Sequence, residues 1–493
     1  MRTRRKDQMQ RVGFKALTGL SALLCALLGP PAGAQHEEVL KKLNGDDTVQ
    51  GTEESKSFRV LFDAYLELDP PPLEVGDGFN LSSIHPDMRE WDAVSDWAES
   101  SGHMAEAIQK CKTRNIIGLP YGAGEVSGAY RQADLVAAIG VGGSLRQTEF
   151  PYLRAMDTIA AYATAEMYRR LEAGQIQPAL DLATAHNWVL RQLCDRQFLG
   201  EKMHSMQLLI RALASLRDVF YTYQDSIEAD QYFELSWYDI PDLRVDRKRL
   251  QIPEGDKIIS EALLEEVFDH REQADPQQFA RAFAWIQAAD APLTQFGAAK
   301  RWSMIAEVHG SLEASKERLT LIYDDWWRRW QVQAYDPILD ISTQFVRTNP
   351  VRYAAVIYSM QNIQEVFTLR NQLAAAVNGS AIAAGLCAYK RTFGVYPDQT
   401  EKLYGQFVRK LISDIDPYDE QYGPLRYRLL QGRHSVDTLA GRLWIDAGEC
   451  VVYGLGQDHE DNLAAEHSDD GAVGDLVLWP PTTVLSRKQG VID

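Results

Sequence analysis

The chain has 493 residues, of which 45% are hydrophobic, 24% charged and 10% aromatic. This composition excludes a disordered or fibrous chain, and the length allows roughly three domains of about 150 residues. Asp and Glu number 69 against 51 Lys and Arg, and the net charge of -18 argues against nucleic acid and anionic membrane surfaces as partners. The sequence contains no Walker loop and no HExxH, GxSxG or CxxC motif, so it identifies no reaction.

Residues 1–34 have the pattern of a secretory signal peptide. Basic residues between Arg2 and Lys15 precede an apolar stretch from Ala16 to Leu28, and Ala32-Gly33-Ala34 matches the small-residue pattern before a cleavage site. The apolar stretch is too short to span a bilayer, which takes about 20 apolar residues. We therefore expect an exported protein, in the periplasm, at the cell surface or outside the cell, with no integral membrane segment after cleavage.

Cleavage as a lipoprotein at Cys25 is the alternative processing route. It is disfavoured because Leu24 occupies the position where that class of signal needs a small residue. After residue 34 four cysteines remain, Cys111, Cys194, Cys387 and Cys450, far apart and without metal-binding spacing. We interpret them as buried free thiols and predict no disulfide.

Residues 35–56 are polar and glycine-containing, which predicts a flexible arm that packs little. Residues 57–150 are predicted to mix short helical pieces with a glycine-rich loop region, since seven glycines fall between positions 118 and 144. The spacing of Gly122, Gly124 and Gly128 differs from that of a dinucleotide-binding loop, and no strand clearly precedes them. We interpret this stretch as irregular loop.

Residues 151–350 are predicted to be an α-helical domain. Apolar residues recur every three or four positions from Leu153 to Leu171, Gly174 ends the run, and the pattern resumes from Ala179 to Leu193. This αα-hairpin resembles a single tetratricopeptide-type unit, but no second copy follows, so we predict a helical bundle rather than a solenoid. Further amphipathic stretches lie at about 257–272, 276–290, 298–333 and 351–392.

The composition changes near Gly394. An alanine-rich helical run ends at about Arg391, and alternating runs near 443–445 and 450–455 predict short strands. Residues 351–485 are therefore predicted to form a long helix followed by a small antiparallel sheet. The predicted fold class is α+β, a mostly helical bundle or hairpin region followed by a small helix-plus-antiparallel-sheet domain at the carboxyl end.

A series of short motifs follows that helix. In order they are Gly394-Val395-Tyr396-Pro397, Asp416-Pro417-Tyr418, Gly423-Pro424-Leu425-Arg426-Tyr427, Val452-Tyr453-Gly454-Leu455-Gly456-Gln457-Asp458 and Asp469-Asp470-Gly471. As an ordered set they resemble the globular domain of the major pseudopilins of type II secretion, over about residues 365–480. A pseudopilin assembles through a membrane helix at its amino end, whereas here about 350 residues of helical domain come first, so we expect no standard pilus subunit. The whole chain resembles uncharacterised exported proteins of planctomycete-type bacteria, which implies export and no particular reaction.

The pseudopilin resemblance implies one calcium ion, bound by the backbone carbonyl of Leu455 and the carboxylates of Asp458, Asp469 and Asp470. Independently of the resemblance, residues 436–475 contain ten acidic residues and a single base, and calcium takes about six to eight oxygen ligands. The interval between the two halves of this set is longer than in the family, and two histidines within it are ligands that calcium does not favour. Three interpretations stay open: a calcium site, a solvated acidic loop and a histidine-containing transition-metal site.

The function we expect is that of an exported non-enzymatic scaffold or interaction protein with protein partners and a calcium-binding C-terminal domain. The alternative is an extracytoplasmic hydrolase that uses carboxylates in the helical domain, with Asp324 and Asp325 as the best local candidates. Adjacent residues of a helix point to different faces, whereas catalytic carboxylates of glycoside hydrolases converge within about 5 to 9.5 Å. The aromatic residues beside them, Trp326, Trp327 and Trp330, are interpreted as core or domain-packing aromatics rather than a sugar-binding platform.

Overall fold

The computed structural model describes residues 33–72, 81–145, 147–243, 252–269, 271–282, 295–332, 336–409, 415–421 and 423–492. Residues 1–32 of the predicted signal peptide lie outside this set, as do residues 283–290 of the helical stretch predicted at 276–290. No helix within the described ranges is long and apolar enough to cross a membrane. The structure is of the α+β class, as predicted.

Helices occupy most of the chain, and we call residues 33–359 the helical body. The α-helices are α1 Gly33–Asn44, α2 Phe58–Leu66, α3 Trp91–Ser100, α4 Gly102–Lys110, α5 Gly128–Gln132, α6 Tyr152–Glu172, α7 Ile176–Leu193, α8 Leu199–Thr222, α9 Ala229–Glu234, α10 Ile240–Asp242, α11 Glu254–Val267, α12 Pro276–Ala282, α13 Gln295–Val308, α14 Leu312–Gln331, α15 Gln344–Arg347, α16 Ala354–Ser359, α17 Gln364–Phe393 and α18 Thr482–Lys488.

The strands are short and all their pairings are antiparallel. They are β1 Ala138–Ile139, β2 Thr148–Glu149, β3 Arg426–Leu429, β4 His434–Asp437, β5 Arg442–Ile445, β6 Cys450–Gly454 and β7 Leu476–Trp479. Strands β3, β6 and β7 form a sheet in that order, and β4 pairs with β5 as a hairpin. We call residues 364–492, which contain α17, this sheet, the hairpin and α18, the C-terminal module.

The predicted αα-hairpin is confirmed by α6 and α7, which pack against each other. Gly174 lies in the turn between them with φ +72°, a conformation that favours glycine. The glycine-rich stretch from 118 to 144 contains turns, two three-residue 3-10 helices, one five-residue α-helix and a two-residue strand, so its interpretation as irregular structure is also confirmed.

Two predicted helical stretches are interrupted. The stretch at 298–333 divides into α13 and α14 because Ser311 caps a new helix, its Oγ accepting a hydrogen bond from Ala314 N at 3.2 Å. The stretch at 351–392 divides into α16 and α17, with residues 360–363 between them. Apolar spacing alone does not reveal such breaks, since the helical period continues across them.

The prediction of a flexible arm at residues 35–56 is wrong. Helix α1 covers its first part, and Val39, Leu43 and Val49 are buried in the main core. Val39 and Leu43 are four positions apart and so lie on one face of the helix. The polar composition concealed this short apolar face, which packs against α11.

Helix α17 is a 30-residue helix that is buried around most of its circumference. One side packs along α8 of the helical body and another packs on β6 and β7. Glycines allow the closest approaches: a Cβ on Gly379 would lie 2.5 Å from Leu478 Cδ1, and one on Gly385 would lie 2.2 Å from Val408 Cγ2. A helix that is apolar on all sides is typical of such a central position. Helix α17 therefore packs against both the helical body and the sheet.

Strand β6 shows how the sheet is buried on both faces. Cys450 and Val452 belong to the main core on the α17 side, whereas Val451 and Tyr453 belong to a second, smaller core. This alternation is the two-residue period of strand side chains. The second core is closed by the β4–β5 hairpin and by α18, so the C-terminal module has three layers.

The four cysteines after residue 34 are confirmed as buried free thiols within the described part of the chain. Burial raises the pKa of the Cys111 thiol to about 11 and that of Cys194 to about 12. Thiols in this state are poor nucleophiles.

Candidate functional site

The predicted calcium residues lie in a segment that we call the acidic loop, residues 455–475. The structure brings its two ends together: Gln457 N donates to Gly471 O at 2.7 Å, and Gln457 Nε2 donates to Asp470 O at 3.1 Å. Gly456, which precedes Gln457, has φ +74°, and a Cβ on this residue would lie 2.3 Å from Gly474 O. The two halves of the predicted ligand set are therefore neighbours in space despite the long interval between them in sequence.

Each predicted carboxylate in the acidic loop already has a local partner. Asp458 Oδ1 accepts from Glu460 N at 3.1 Å, and Asp470 Oδ1 accepts from Ala472 N at 3.0 Å. The backbone N of Leu455 donates to the buried Asp416 Oδ2 at 2.8 Å. The contacts of Asp458 and Asp470 are short-range turn contacts of the kind that Asp residues commonly make, whereas Asp416 and Leu455 are 39 positions apart in the chain.

The carboxylates of Asp458, Asp469 and Asp470 do not form a ligand cluster. Within the described ranges, no group of three or more His, Cys, Asp or Glu side chains is placed to hold a metal ion. All three residues are exposed. The structure thus joins the two segments without converging their side chains, and the calcium site at Leu455, Asp458, Asp469 and Asp470 stays a prediction.

His467 has a defined place at the outer edge of β7. Its Nδ1 lies 3.1 Å from Val477 N, a backbone donor, and 3.1 Å from Asp475 O, a backbone acceptor. Its Nε2 lies within hydrogen-bond distance of Asp469 Oδ1, at 3.2 Å. This hydrogen bond lowers the pKa of the Asp469 carboxyl. The imidazole therefore lies against the backbone at the edge strand β7.

His459 is engaged elsewhere in the same loop. Its Nδ1 lies 2.8 Å from the carbonyl oxygen of Tyr418 and donates to it. The ring adopts an edge-to-face arrangement with the Tyr418 ring. Both loop histidines thus make backbone contacts, and the structure does not bring them together as a transition-metal pair.

Asp475 is a functional candidate that the sequence did not single out from the other acidic residues. The residue is fully buried, and its Oδ2 accepts from Ala464 N at 2.7 Å. Its pKa is raised to about 7, because burial and the nearby charges of Asp461 and Asp458 outweigh the backbone hydrogen bonds that it accepts. The crowding of ten acids was the available signal, but the identity of the buried acid depends on tertiary packing.

The carboxylates proposed for the hydrolase alternative are not brought together. Asp324 is exposed, whereas Asp325 Oδ2 accepts from Arg329 Nε at 3.1 Å and from Gln344 N at 2.9 Å. Asp325 therefore supports the amino end of α15. These two hydrogen bonds explain the presence of Asp325 by a structural role.

The tryptophans of α14 divide between core and surface. Trp326 and Trp330 are almost fully buried, as predicted, and Trp330 packs edge-to-face on Phe367 of α17. Trp327 is partly exposed, so the prediction of a core position is wrong for this residue. Residues i and i+4 share a helical face whereas i+1 points away, which accounts for the division.

Comparisons with protein-family models, with curated proteins and with solved structures found no match to this chain. The resemblance to pseudopilins and to exported planctomycete-type proteins consequently rests on the sequence motifs alone.

Proposed function

We propose that the protein is an exported, non-enzymatic interaction protein that contacts protein partners through its C-terminal module. The observation that carries this proposal is the tip of the β4–β5 hairpin, where Leu439 is 94% exposed. Other large apolar side chains are also exposed on the module, among them Leu463 and Val473. An apolar side chain that is almost fully exposed gains free energy when a partner removes it from water.

The hairpin tip is held in a fixed conformation. Thr438 N donates to Gly441 O at 3.0 Å and Gly441 N donates to Thr438 O at 3.2 Å, which closes the two-residue turn around Leu439 and Ala440. A preorganised contact loses little conformational entropy on binding. The rigid turn therefore supports a role for Leu439 as an anchor.

The edge of β5 that does not pair with β4 is covered by the side chain of Gln489. Gln489 Oε1 accepts from Trp444 N at 2.9 Å and Gln489 Nε2 donates to Trp444 O at 2.7 Å. This side chain takes the place that a neighbouring strand would take. We infer that partners contact the tip of the hairpin rather than extend the hairpin edge.

Export and calcium are further components of the proposal. The signal-peptide pattern of residues 1–34 supports export. The adjacency of the segments around Leu455 and Asp470 supports a calcium ion that would join the two ends of the acidic loop, with additional ligands from backbone carbonyls or water.

Photocrosslinking in the source cells tests the proposed contact. A benzophenone side chain is introduced at Leu439, and in a matched variant at Leu66, an exposed leucine of α2 in the helical body. We expect a discrete crosslinked product from position 439 and none from position 66. Absence of a product at 439, or the same product from both positions, would overturn the proposal.

A further inference from the structure

A polar pocket lies in the helical body, remote in sequence from the C-terminal module. Its cavity of about 410 Å³ lies between the loop after α1, the carboxyl end of α7, the start of α8 and the start of α11. Cavities of this size accommodate small molecules such as metabolites or short peptides. No motif in the sequence points to it, because its lining comes from segments far apart in the chain.

The floor of the pocket is cationic. Lys202 is 1% exposed, and within the described ranges its Nζ donates a single hydrogen bond, to Cys194 O at 3.3 Å. An ammonium group has three donors, so most of its hydrogen-bonding capacity is left for a ligand. The adjacent carboxylate is already engaged, because Asp195 Oδ1 accepts from Arg191 Nη1 at 2.8 Å. Burial lowers the pKa of Lys202 to about 8.

A buried network fixes the corner from which Lys202 projects. Arg196 Nε donates to Glu201 Oε1 at 2.9 Å, and the hydroxyls of Tyr121 and Tyr152 donate to the same carboxylate at 2.7 and 2.6 Å. Arg196 Nη1 also donates to Leu119 O at 2.6 Å. Buried groups joined by several hydrogen bonds are held in defined positions. The position of the Lys202 ammonium is therefore set before any ligand arrives, which lowers the entropic cost of binding.

The mouth of the pocket is acidic. Asp47 and Glu254 are exposed and line the cavity. Asp46 also lines it but is half-buried, and its Oδ1 accepts from Thr48 N at 2.8 Å and from Thr48 Oγ1 at 2.6 Å. An anion that approaches Lys202 has to pass these carboxylates. A cation held by the carboxylates leaves the Lys202 ammonium without a negatively charged ligand. The charges are thus separated along the depth of the pocket, cationic inside and anionic at the entrance.

One wall of the pocket is apolar. Trp188, Ile116 and Ile252 contribute to the lining, and the indole is held in place because Trp188 Nε1 donates to Arg114 O at 2.7 Å. An aromatic ring fixed in this way offers a flat surface for a small apolar group of a ligand.

We infer that this pocket binds a small zwitterion of the amino-acid or short-peptide class, with the carboxylate at Lys202 and the ammonium at the carboxylates of Asp47 and Glu254. Such a ligand completes the hydrogen bonds of the buried ammonium and neutralises the acidic entrance at the same time. Its side chain or methyl group packs on Trp188. The inference is independent of the proposed contact through the C-terminal module.

Isothermal titration calorimetry of the purified protein with L-alanyl-L-alanine tests the inference. Two blocked peptides serve as comparisons: N-acetyl-L-alanyl-L-alanine lacks the ammonium, and L-alanyl-L-alaninamide lacks the carboxylate. We expect each to bind at least about tenfold more weakly than the free dipeptide, because each loses one charge-assisted contact. Absence of binding of the free dipeptide at millimolar concentration, or equal binding of all three, would overturn it.

Variants separate the two ends of the site. We expect Lys202→Met to abolish dipeptide binding, and D47N/E254Q to weaken it about tenfold while leaving the affinity for the N-acetylated peptide unchanged or improved. Lys402→Met, a surface lysine of the C-terminal module, is the matched control and should bind like the wild type. Circular dichroism and unfolding curves show whether each variant is folded. A folded Lys202→Met protein that binds the dipeptide with wild-type affinity would contradict the assignment.

Discussion

Arg217 of α8 donates from Nη1 to Ser380 Oγ of α17 at 2.7 Å, and both side chains are buried. This is a charged donor on one helix bound to a hydroxyl on the other, at the contact between the helical body and the C-terminal module. The guanidinium loses its hydration there, and burial lowers the pKa of Arg217 to about 10. The hydrogen bond therefore offsets part of the cost of placing a charge between the two helices.

Removal of this hydroxyl should destabilise the whole protein. We expect Ser380→Ala to lower the free energy of unfolding by about 1–3 kcal/mol, since it leaves a buried charged donor with fewer partners. Urea unfolding followed by circular dichroism measures the change. Ser226→Ala, at an exposed position, is the control and should stay within about 0.5 kcal/mol of the wild type. Equal stability of the two variants would show that the Arg217–Ser380 bond contributes nothing.

A second prediction concerns the close approach of α17 and β7. In Gly379→Ala the new Cβ would lie 2.5 Å from Leu478 Cδ1, so the helix and the strand must move apart. We expect a loss of about 1–3 kcal/mol in the free energy of unfolding, as for other overpacked cores.

The matched control is Gly102→Ala at the start of α4, where a Cβ meets nothing within 4 Å. Alanine is favoured over glycine in a helix, so this variant should be as stable as the wild type or up to about 1 kcal/mol more stable. A neutral Gly379→Ala would mean that Leu478 repacks without cost.

Calcium binding predicts a shift of the melting temperature. We expect the protein to melt at a higher temperature in about 1 mM Ca²⁺ than in EDTA, because a ligand that binds the native state stabilises it by mass action. Asp458→Ala should abolish the shift. Asp446→Ala removes an exposed acid outside the acidic loop and should retain it. Identical melting curves with and without calcium would leave the acidic loop as solvated carboxylates.

The fourth prediction is a pH dependence due to Lys202. Its pKa is about 8 in the native state, against 10.5 for an unperturbed lysine. Between these values the unfolded chain binds more protons than the native chain, so this group makes the free energy of unfolding rise with pH. Below pH 8 the buried ammonium is charged in both states, and its full desolvation cost of about 3 kcal/mol opposes folding.

The comparison of wild type with Lys202→Met isolates this effect. We expect the variant to gain about 2 kcal/mol more stability relative to wild type at pH 7 than at pH 10, because the wild-type lysine is largely neutral in the native state at the higher pH. Other titrating groups are common to both proteins and cancel in the difference. A pH-independent difference in urea unfolding would show that Lys202 titrates normally.

The parts of the fold that the sequence predicts are those with a local signal. The hairpin of α6 and α7 follows from apolar spacing and from Gly174, and the strands of the C-terminal module follow from alternation. Helix α1 was missed because its polar residues outnumber the apolar ones that anchor it. Composition averages over a segment, whereas packing depends on which face its few apolar residues share.

The residues of the candidate sites also divide into those that a local sequence pattern predicts and those that it does not. The ordered motifs placed the Leu455 and Asp470 segments in one loop, and the structure joins them through Gln457. No local pattern, in contrast, distinguishes Lys202 or Asp475 from the many exposed charges of the chain. Their burial is decided by segments that are distant in sequence, so it could be found only from the folded structure.

The position of α17 has a consequence for how the protein can be divided. A fragment that begins at Gly394 would lack the helix that covers one face of the sheet, and a fragment that ends before Gln364 would expose the apolar side of α8. Either piece would expose a large apolar surface and would become a substrate for proteases and chaperones. The two halves must therefore be synthesised as one chain and fold together.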